Sequence, residues 1–377
     1  MSGKPPSTGR PMRILCYAAV DGTHAGGVQQ VVGSLADSLE NAGHEVLTVW
    51  SEPAENADEG LHVCPLHART TPYAPHVPAR RSHLPSIWRA MRLLARFRPD
   101  LVNVHFATRA AHNFLVLRRL FGYRLVLSLH GSDIMKPEPP DAGYLPALLR
   151  GADRVTAVSG ALRAQAMRLP GSRNVPIHVV PNGIDTRFWR PDGRPSLAKK
   201  MPRLVAVGRL EPVKGYDVLL KAVQRLHRRG LPVALALIGA GSQEEALRQQ
   251  SIDLGLAEAV EFTGALPPEG ILEHLRRSDI YVLSSHSEGM PLALMEAMAC
   301  GLPSVATRVG GIAEFAAGTV PLVPPAQPEA LANALEHLLV NPDRAAELGA
   351  AAAQTMRERS VEHTNDTYGR LFRDMMG

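Results

Sequence analysis

The residues best suited to chemistry lie in the stretch 287–301, where two glutamates stand on either side of a proline. Pro291 suits the first position of a helix and Gly301 suits its end, so the pattern places Glu288 on a loop and Glu296 inside the helix. Apart from Glu296 this helix is apolar all round, which predicts that it is buried. A buried carboxylate needs hydrogen bonds. Paired hydroxyl groups, such as those of a ribose, would supply them; the alternative is a carboxylate bound to backbone amides or to a buried arginine.

Two cations stand five residues apart on a loop between a predicted strand and a helix. Arg209 can bind two phosphate oxygens through its planar guanidinium, and Lys214 supplies a point charge. The pair indicates a diphosphate site, with a surface salt bridge as the alternative. Gly239 and Gly241 follow the next strand and Gly264 the one after, and each would allow a close approach of the backbone.

The first half of the chain carries candidates of its own at strand ends. His130 follows a predicted strand and precedes the segment Gly131-Ser132-Asp133, whose serine or aspartate could orient the imidazole. His105 is a second such candidate one strand earlier, and for both the alternative is a hydrogen-bonded structural histidine. Gly26 and Gly27 open a helix, where free N–H groups and the helix dipole attract an anion such as a diphosphate. The alternative is a turn before the helix that requires glycine only for its backbone conformation.

Alternating strands and helices must position these residues, because short β-rich apolar runs alternate with helical patterns along the whole chain. In open parallel sheets ligands bind beyond the carboxyl ends of the strands, where the candidates lie. A helix is predicted after Gly27, ending near residues 41–43, and another over 363–376. Strands are predicted at 13–18, 45–50, 101–105, 124–129, 154–158 and 177–180, and again at 204–207, 234–238, 260–262, 280–283 and 304–306.

The length of 377 residues favours two domains, and the segment 181–201, rich in proline, glycine and charge, is typical of a linker between them. We therefore predict an α/β protein of two doubly wound, Rossmann-like domains that face each other across a cleft.

Charge is distributed unevenly between the halves. Residues 1–190 hold 22 Lys+Arg and 14 Asp+Glu, a formal charge of +8. The rest of the chain therefore has a formal charge of −3, since the net charge of the whole chain is +5. Much of the excess lies in the region 80–98 around Trp88. A basic amphipathic helix there would suit an anionic bilayer or an acidic substrate, and a solvated helix whose arginine stems cover apolar surface is the alternative. The arginines concerned are Arg80, Arg81, Arg89, Arg92, Arg96 and Arg98.

Several partners are not expected. No nucleic-acid module is recognisable, and no Asp-x-Asp triplet or cluster with metal-ligand spacing occurs, so we predict no metal site and no cofactor. Cys16, Cys64 and Cys300 leave one thiol unpaired in any disulfide scheme, which fits a reducing compartment. Residues 1–11 are polar and no apolar run reaches membrane-spanning length, so a cytoplasmic protein is expected, with the inner membrane face as a further place of contact.

Taken in order, these segments resemble the retaining glycosyltransferases of family 4, which have the GT-B fold. The resemblance covers nearly the whole chain and includes the Gly26-Gly27 loop, His130, the segment 179–185 and the Arg209 to Lys214 loop. It is most specific at Glu288 and Glu296, which match two family glutamates separated by seven residues.

The resemblance implies a role for each matched position. It implies that Glu296 holds ribose hydroxyls, that the backbone near Gly264 contacts the base, and that Arg209 and Lys214 neutralise the leaving diphosphate. The loop that presents a carboxylate and amides to the donor sugar would comprise Glu288, Gly289, Met290, Pro291 and Leu292. His130 would lie near the sugar and the acceptor.

The resemblance also implies the domains and the reaction. We expect an acceptor-side domain over 1–185, a nucleotide-sugar domain over 186–362, and a last helix, 363–377, that packs back on the first domain. The reaction would be metal-independent, front-face transfer with retention, from a nucleoside-diphosphate sugar to a hydroxyl of a carbohydrate, lipid-linked or small-molecule acceptor. UDP is the expected carrier and GDP the next. A sugar-nucleotide 2-epimerase and a non-catalytic sugar-nucleotide-binding protein are the alternatives.

Overall fold

A computed structural model describes residues 10–18, 26–51, 61–64, 86–135, 143–169, 172, 175–191 and 201–377. Arg80, Arg81 and the later part of the predicted linker, 192–200, lie outside these described residues. The chain divides into two compact units, one formed by Met1–Gly183 with Val361–Gly377 and the other by Ile184–Ser360.

The first unit is built on a seven-stranded sheet in the order β3-β2-β1-β4-β5-β6-β7. Every neighbouring pair is parallel except β2 and β3, which are antiparallel. The short edge strand β3 was not predicted, whereas the other six strands are confirmed to within one residue. The strands are β1 Arg13–Ala18, β2 Glu45–Ser51, β3 Leu61–Cys64, β4 Leu101–His105, β5 Arg124–Leu129, β6 Arg154–Ala157 and β7 Ile177–Val179.

Helices cover this sheet, and the last helix of the chain is among them. Within the described ranges six helices precede the second unit: α1 Gly27–Asn41, α2 Ser86–Phe97, α3 Arg109–Phe121, α4 Ser132–Met135, α5 Leu145–Gly151 and α6 Gly160–Ala166. The final helix of the chain, α14 Val361–Met376, packs against α1.

Side chains of α14 enter the core of the first unit. Tyr368 and Phe372 are buried together with residues of α1 and of the sheet. Near the start of the helix, the Asn365 side-chain amide donates a hydrogen bond to the Ser34 carbonyl at 3.1 Å, and the Thr364 hydroxyl donates to the Pro181 carbonyl at 2.9 Å. The last helix is therefore an integral part of the first unit.

The second unit contains a six-stranded parallel sheet in the order β10-β9-β8-β11-β12-β13. Five of these strands were predicted to within two residues, and the two-residue β13 was not. They are β8 Arg203–Val207, β9 Ala234–Ile238, β10 Val260–Gly264, β11 Ile280–Leu283, β12 Ser304–Thr307 and β13 Leu322–Val323.

The described residues of the second unit form seven helices, of which the first two and the last two share an apolar core with the strands. They are α7 Tyr216–Arg228, α8 Glu244–Asp253, α9 Pro268–Arg277, α10 Leu292–Ala299, α11 Ile312–Ala316, α12 Pro328–Val340 and α13 Pro342–Arg357. Across the part of the chain that the structure describes, no helix combines the length and apolar character needed to cross a membrane.

The packing of α14 generates a stability prediction. Phe372 is fully buried, so Phe372→Ala is expected to lower the free energy of unfolding by about 3 to 5 kcal/mol through lost burial and the cavity left behind. Met376 lies on the same helix and is 42% exposed, so Met376→Ala serves as the control. Urea unfolding of both variants provides the measurement. Equal losses in the two variants would contradict the packing described for α14.

Candidate active site

A partly buried ion pair joins Lys214 to Glu288 in the second unit. The Lys214 Nζ lies 2.7 Å from Glu288 Oε1, and the side chains are 20% and 10% exposed. The Ser285 hydroxyl donates to the same carboxylate oxygen at 2.6 Å. Because an ammonium group has three N–H donors, the contact with Glu288 orients Lys214 and leaves donors for an anionic ligand.

The loops that carry these two residues follow β8 and β11, which are neighbours in the sheet. Lys214 ends a short 3-10 turn, Pro212–Lys214, and its carbonyl accepts a hydrogen bond from the Ser284 hydroxyl at 2.9 Å. The His286 amide donates to the Val213 carbonyl at 2.8 Å. Hydrogen bonds to the backbone carbonyls of Val213 and Lys214 therefore hold the two loops together, independently of the ion pair.

The loop from Glu288 to the start of α10 packs against the turn that follows β12. Gly310 has φ +54°, and a Cβ at this position would lie 1.6 Å from the Glu288 carbonyl oxygen. The Gly311 amide donates to the Gly289 carbonyl at 3.0 Å. Only a glycine fits this contact, which fixes the backbone on which the Glu288 carboxylate stands.

The remaining residues of this predicted loop are buried. Gly289, Met290, Pro291 and Leu292 are all shielded from solvent. Pro291 is the N-cap and Leu292 the first helical residue, so the predicted helix start is one residue early.

Glu296 lies inside α10, as predicted, and is 4% exposed. It has interaction partners within the protein. Burial, and then the neighbouring groups Tyr216, Glu288 and Glu296, raise the pKa of the Tyr281 phenol. The two predicted glutamates therefore lie near one buried tyrosine, and both add to the rise in its pKa that burial causes.

Arg209 is exposed beyond the end of β8. Hydrogen bonds from Ser242, and then the charge of Arg209, lower the pKa of the nearby Glu211. Among the described residues the Arg209 guanidinium has no hydrogen bond or ion pair of its own. The structure therefore gives Lys214 a protein partner and leaves the Arg209 guanidinium open to solvent.

Glycines end three adjacent strands of the second unit. A Cβ at Gly239 would lie 2.0 Å from the Gly208 carbonyl oxygen, and the Gly239 amide donates to the Gly264 carbonyl at 2.9 Å. At Gly264 no atom lies within 4 Å of the corresponding Cβ position. The backbone is thus tightly packed between the first two strand ends and has open space beside the third.

In the first unit, His130 lies directly after β5 and contacts the histidine at the end of β4. Its Nε2 is 2.9 Å from His105 Nδ1. The ring also packs against the Phe106 ring at a centroid distance of 5.1 Å. Phe106 has φ +73°, a strained conformation for a residue with a side chain, and such strain is concentrated at functional sites. Two aromatic neighbours therefore fix the imidazole plane of His130.

Asp133 supports the backbone near His130, whereas the sequence predicted that either Asp133 or Ser132 orients the ring. The carboxylate accepts hydrogen bonds from the amides of Gly131 at 2.9 Å, His130 at 3.3 Å and Ala107 at 3.4 Å. Burial raises the pKa of Asp133 to about 6, although these amides oppose the rise. His105 is thus the residue that contacts the His130 ring, and the Ser132 side chain lies outside the described residues.

Burial keeps both histidines neutral at pH 7. It lowers the pKa of His130 to about 4, and burial together with His130 lowers the pKa of His105 well below its usual value. Because these pKa values lie below those of the unfolded chain, the stability gained from the neutral rings decreases as the pH falls below about 6.5.

The glycine pair opens α1 but is less accessible than predicted. Gly26 is the N-cap, and a Cβ there would lie 2.4 Å from the Gln29 side-chain oxygen. The Gln29 side chain therefore lies against the place where an anion was expected to approach Gly26. Gly27 begins the helix, whose first turn contains no acidic residue.

Several residues at these sites were not predicted. Gly310, Ser285, Phe106 and Asn103 contact or support the predicted residues, and only the Gly310-Gly311 pair after β12 left a sequence signal. Within the described ranges, no group of three or more His, Cys, Asp or Glu residues is arranged to hold a metal ion.

Family models match both halves of the chain. The model described as "Glycosyltransferase Family 4" matches residues 25–188, and the model described as "Glycosyl transferases group 1" matches residues 190–355.

Curated relatives extend the match over most of the chain. A GDP-mannose-dependent alpha-(1-6)-phosphatidylinositol monomannoside mannosyltransferase of Mycolicibacterium smegmatis is 34% identical over 67% of this chain and 71% of the relative. A D-inositol 3-phosphate glycosyltransferase of Saccharomonospora viridis is 27% identical over 93% of this chain and 90% of the relative.

Solved structures share the fold. Sucrose-phosphate synthase from Thermosynechococcus elongatus has a TM-score of 0.80 at 22% identity, and the superposition covers 97% of this chain and 99% of the synthase chain. Anabaena HepE in complex with UDP and glucose has a TM-score of 0.74 at 20% identity and covers 96% of this chain and 99% of its own. These likenesses confirm the predicted GT-B fold.

The packing of Gly310 generates the second prediction. Gly310→Ala is expected to lower the free energy of unfolding by about 1 to 3 kcal/mol more than Gly318→Ala. Both variants place alanine at positive φ, +54° and +85°, but nothing lies within 4 Å of a Cβ at Gly318. The difference between the two, measured by urea unfolding, therefore isolates the collision with the Glu288 carbonyl. The same loss in both variants would show that this contact does not constrain the loop.

Proposed function

The chain belongs to the glycosyl transferases of group 1, within glycosyltransferase family 4, and we propose that it transfers mannose from GDP-mannose to a hydroxyl group of an inositol-bearing acceptor. Transfer with retention of configuration and without a metal is part of the proposal.

In the second unit the proposal rests on the oriented ammonium group of Lys214. Breaking the bond between a sugar carbon and a diphosphate leaves negative charge on the phosphate, and fixed cations stabilise such a transition state. Lys214 is oriented by Glu288 at 2.7 Å, and the exposed guanidinium of Arg209 follows the same strand. One carboxylate balances one ammonium, so Arg209 supplies the additional positive charge for the diphosphate.

The nucleotide end of the donor is assigned to Glu296 and Gly264. Glu296 is nearly inaccessible from solvent on α10, and its carboxylate could accept both hydroxyls of a ribose. Gly264 has open space beside it, which would accommodate a base against the backbone. These roles come from the family resemblance, and the burial of Glu296 agrees with them.

GDP is preferred to the UDP that the resemblance first suggested. The relative from Mycolicibacterium smegmatis, named above, is described as GDP-mannose-dependent. It acts on a phosphatidylinositol mannoside, and the relative from Saccharomonospora viridis is named for D-inositol 3-phosphate. An acceptor with an inositol ring and a phosphate group is common to both names, so we assign that chemical class to this chain.

The proposed step balances without a cofactor. The acceptor oxygen forms a bond to the anomeric carbon as the bond from that carbon to the phosphate oxygen breaks. The acceptor proton passes to the departing phosphate, and the products are a mannoside and GDP. Attack on the face from which the diphosphate leaves retains the configuration. In this proposal Lys214 and Arg209 stabilise the diphosphate, and His130 binds a sugar hydroxyl.

Two alternatives make different products. A sugar-nucleotide 2-epimerase would convert the donor alone and form no glycoside. A non-catalytic binding protein would bind the nucleotide sugar and leave it intact.

Binding of the nucleotide generates the third prediction. GDP at a hundredfold excess over its dissociation constant should stabilise the protein by about 2.7 kcal/mol, measured as a thermal shift. UDP and ADP at equal concentration should have a smaller effect. Glu296→Gln, which keeps the shape but loses a carboxylate oxygen, should reduce the effect of GDP. The exposed Glu258→Gln variant is the matched control.

Incubation with GDP-mannose and either D-inositol 3-phosphate or vesicles containing phosphatidylinositol, followed by mass spectrometry, distinguishes the functions. A mannosylated product supports the proposal. GDP release that needs no acceptor, an epimerised donor, or an unaltered donor would each contradict it. A larger thermal shift with UDP than with GDP would contradict the assignment of the base.

A lipid-linked acceptor is favoured by the surface of α2 and α3, which pack against each other. Neither helix contains an acidic residue. Trp88 on α2 is 53% exposed and Leu120 on α3 is 68% exposed. Arg92 and Arg96 are exposed one and two turns after Trp88, as expected for the basic amphipathic helix inferred from the sequence. We propose that this α2–α3 surface lies on an anionic bilayer.

This surface generates the fourth prediction. Arginines near an anionic membrane each contribute about 1 kcal/mol, so the double variant Arg92→Glu with Arg96→Glu should reduce vesicle binding by at least about tenfold. Cosedimentation with vesicles of phosphatidylcholine and phosphatidylglycerol measures the change. The exposed pair Arg228→Glu with Arg357→Glu changes the net charge equally and is the control. Equal loss in both variants, or wild-type binding that is no stronger than to phosphatidylcholine alone, would exclude this surface.

A further inference from the structure

A row of buried polar side chains leads away from His130 through the first unit. Asn103 and His105 lie on β4, Ser128 on β5 and Thr156 on β6, and each is at most 1% exposed. His105 is opposite Ser128, and Ser128 is opposite Thr156, in the register of the parallel strands. Residues opposite each other, or two apart on one strand, share a face of the sheet, so all four side chains lie on the same face.

At the far end of this row three hydroxyl groups meet. Thr156 Oγ1 lies 3.0 Å from Ser128 Oγ, and the Tyr368 hydroxyl of α14 lies 3.3 Å from Ser128 Oγ and 3.2 Å from Thr156 Oγ1. The Ser128 oxygen therefore accepts a hydrogen bond from this group, and its own proton is available for Asn103.

The Asn103 amide links the hydroxyl groups to the histidines. Ser128 Oγ donates to Asn103 Oδ1 at 2.9 Å, and Asn103 Nδ2 lies 3.0 Å from His105 Nε2. Since an amide nitrogen can only donate, His105 Nε2 must be the acceptor. A neutral imidazole has one N–H, so the proton of His105 is on Nδ1.

The same reasoning extends to His130. The Nδ1–H of His105 donates to His130 Nε2 across 2.9 Å. His130 Nε2 is then unprotonated, and the single proton of its neutral ring is on Nδ1. If the amide of Asn103 had the opposite orientation, every bond in the row would reverse and His130 Nδ1 would be a base. The direction of one buried amide thus decides the chemistry of the histidine.

We infer that this row of hydrogen bonds fixes the tautomer of His130, which keeps its proton on Nδ1 and donates it in a hydrogen bond to a sugar hydroxyl oxygen. His105 and Asn103 are positioning residues, because they act on the sugar through His130. The inference deepens the proposed function and rests on it for the identity of the ligand. It also means that His130 Nδ1 takes no proton from the acceptor, which leaves the departing phosphate to receive it.

Long-range proton–nitrogen correlation spectra of the nitrogen-15-labelled full chain at pH 7 test the tautomer directly. The spectrum of the wild-type protein should show a protonated Nδ1 and an unprotonated Nε2 for both His105 and His130. A protonated Nε2 on His130 would overturn the inference. This measurement needs neither donor nor acceptor. The tautomer can therefore prove wrong in a protein that transfers sugar, and it can prove right in a protein that does not.

Variants then connect the tautomer to turnover. His105→Phe keeps an aromatic ring beside His130 but removes the donor, so the His130 proton should shift toward Nε2. The value of kcat/KM should fall by about 10- to 100-fold, by analogy with the loss of a partner that orients a metal-bound histidine.

His112→Phe is the matched control, because His112 lies on α3 outside the row and packs its ring against Tyr144 at a centroid distance of 4.9 Å. It should leave both the His130 tautomer and kcat/KM unchanged. A His105→Phe variant whose His130 keeps the proton on Nδ1 would overturn the role of His105. If that variant fails to fold, the spectrum of the wild-type protein still decides the inference.

Discussion

Parallel pairing of strands is the constraint on which every candidate residue depends. Parallel strands all end at the same edge of a sheet, so the segments that follow them lie side by side without further design. His130 directly follows β5, beside the end of β4 at His105, and the loops of Lys214 and Glu288 follow the adjacent strands β8 and β11. Residues far apart in sequence are thereby brought within hydrogen-bonding distance in each unit.

In the proposed function, the strand ends of the second unit have two requirements: the backbone must pack closely, and a cation must remain accessible to the ligand. Glycine allows the close packing, because a Cβ at Gly239 or at Gly310 would overlap a carbonyl oxygen. The Lys214–Glu288 ion pair provides the positioned cation. An ion pair of this kind is weak evidence for stability, since desolvation of the charges offsets their attraction. It does hold an ammonium group in one place, and an oriented cation stabilises a diphosphate without having to reorganise during the reaction.

Local sequence patterns were sufficient for all the described strands except β3 and β13, and for the burial of Glu296 in a helix. Apolar runs mark strands wherever they lie in the chain, and a carboxylate in an apolar helix stands out by itself. The partners of His130 were harder to predict, because they depend on register between strands: His105 faces Ser128 and Thr156 only once three strands pair. The sequence offered Ser132 or Asp133 to orient the ring, yet the Asp133 carboxylate accepts hydrogen bonds from backbone amides. The edge strand β3 and the two-residue β13 were too short to have a clear pattern.

The charges of the individual candidate residues suit a reaction that separates charge. As the sugar leaves the diphosphate, positive charge develops on the sugar and negative charge on the phosphate. A protonated histidine at a sugar hydroxyl would oppose the positive charge, whereas burial lowers the pKa of His130 to about 4 and leaves a neutral ring at pH 7. In the proposed mechanism the cations Lys214 and Arg209 act on the phosphate, and the sugar meets only a dipole. The buried row from Tyr368 to His105 is then more than a structural feature, because it determines which end of that dipole the sugar meets.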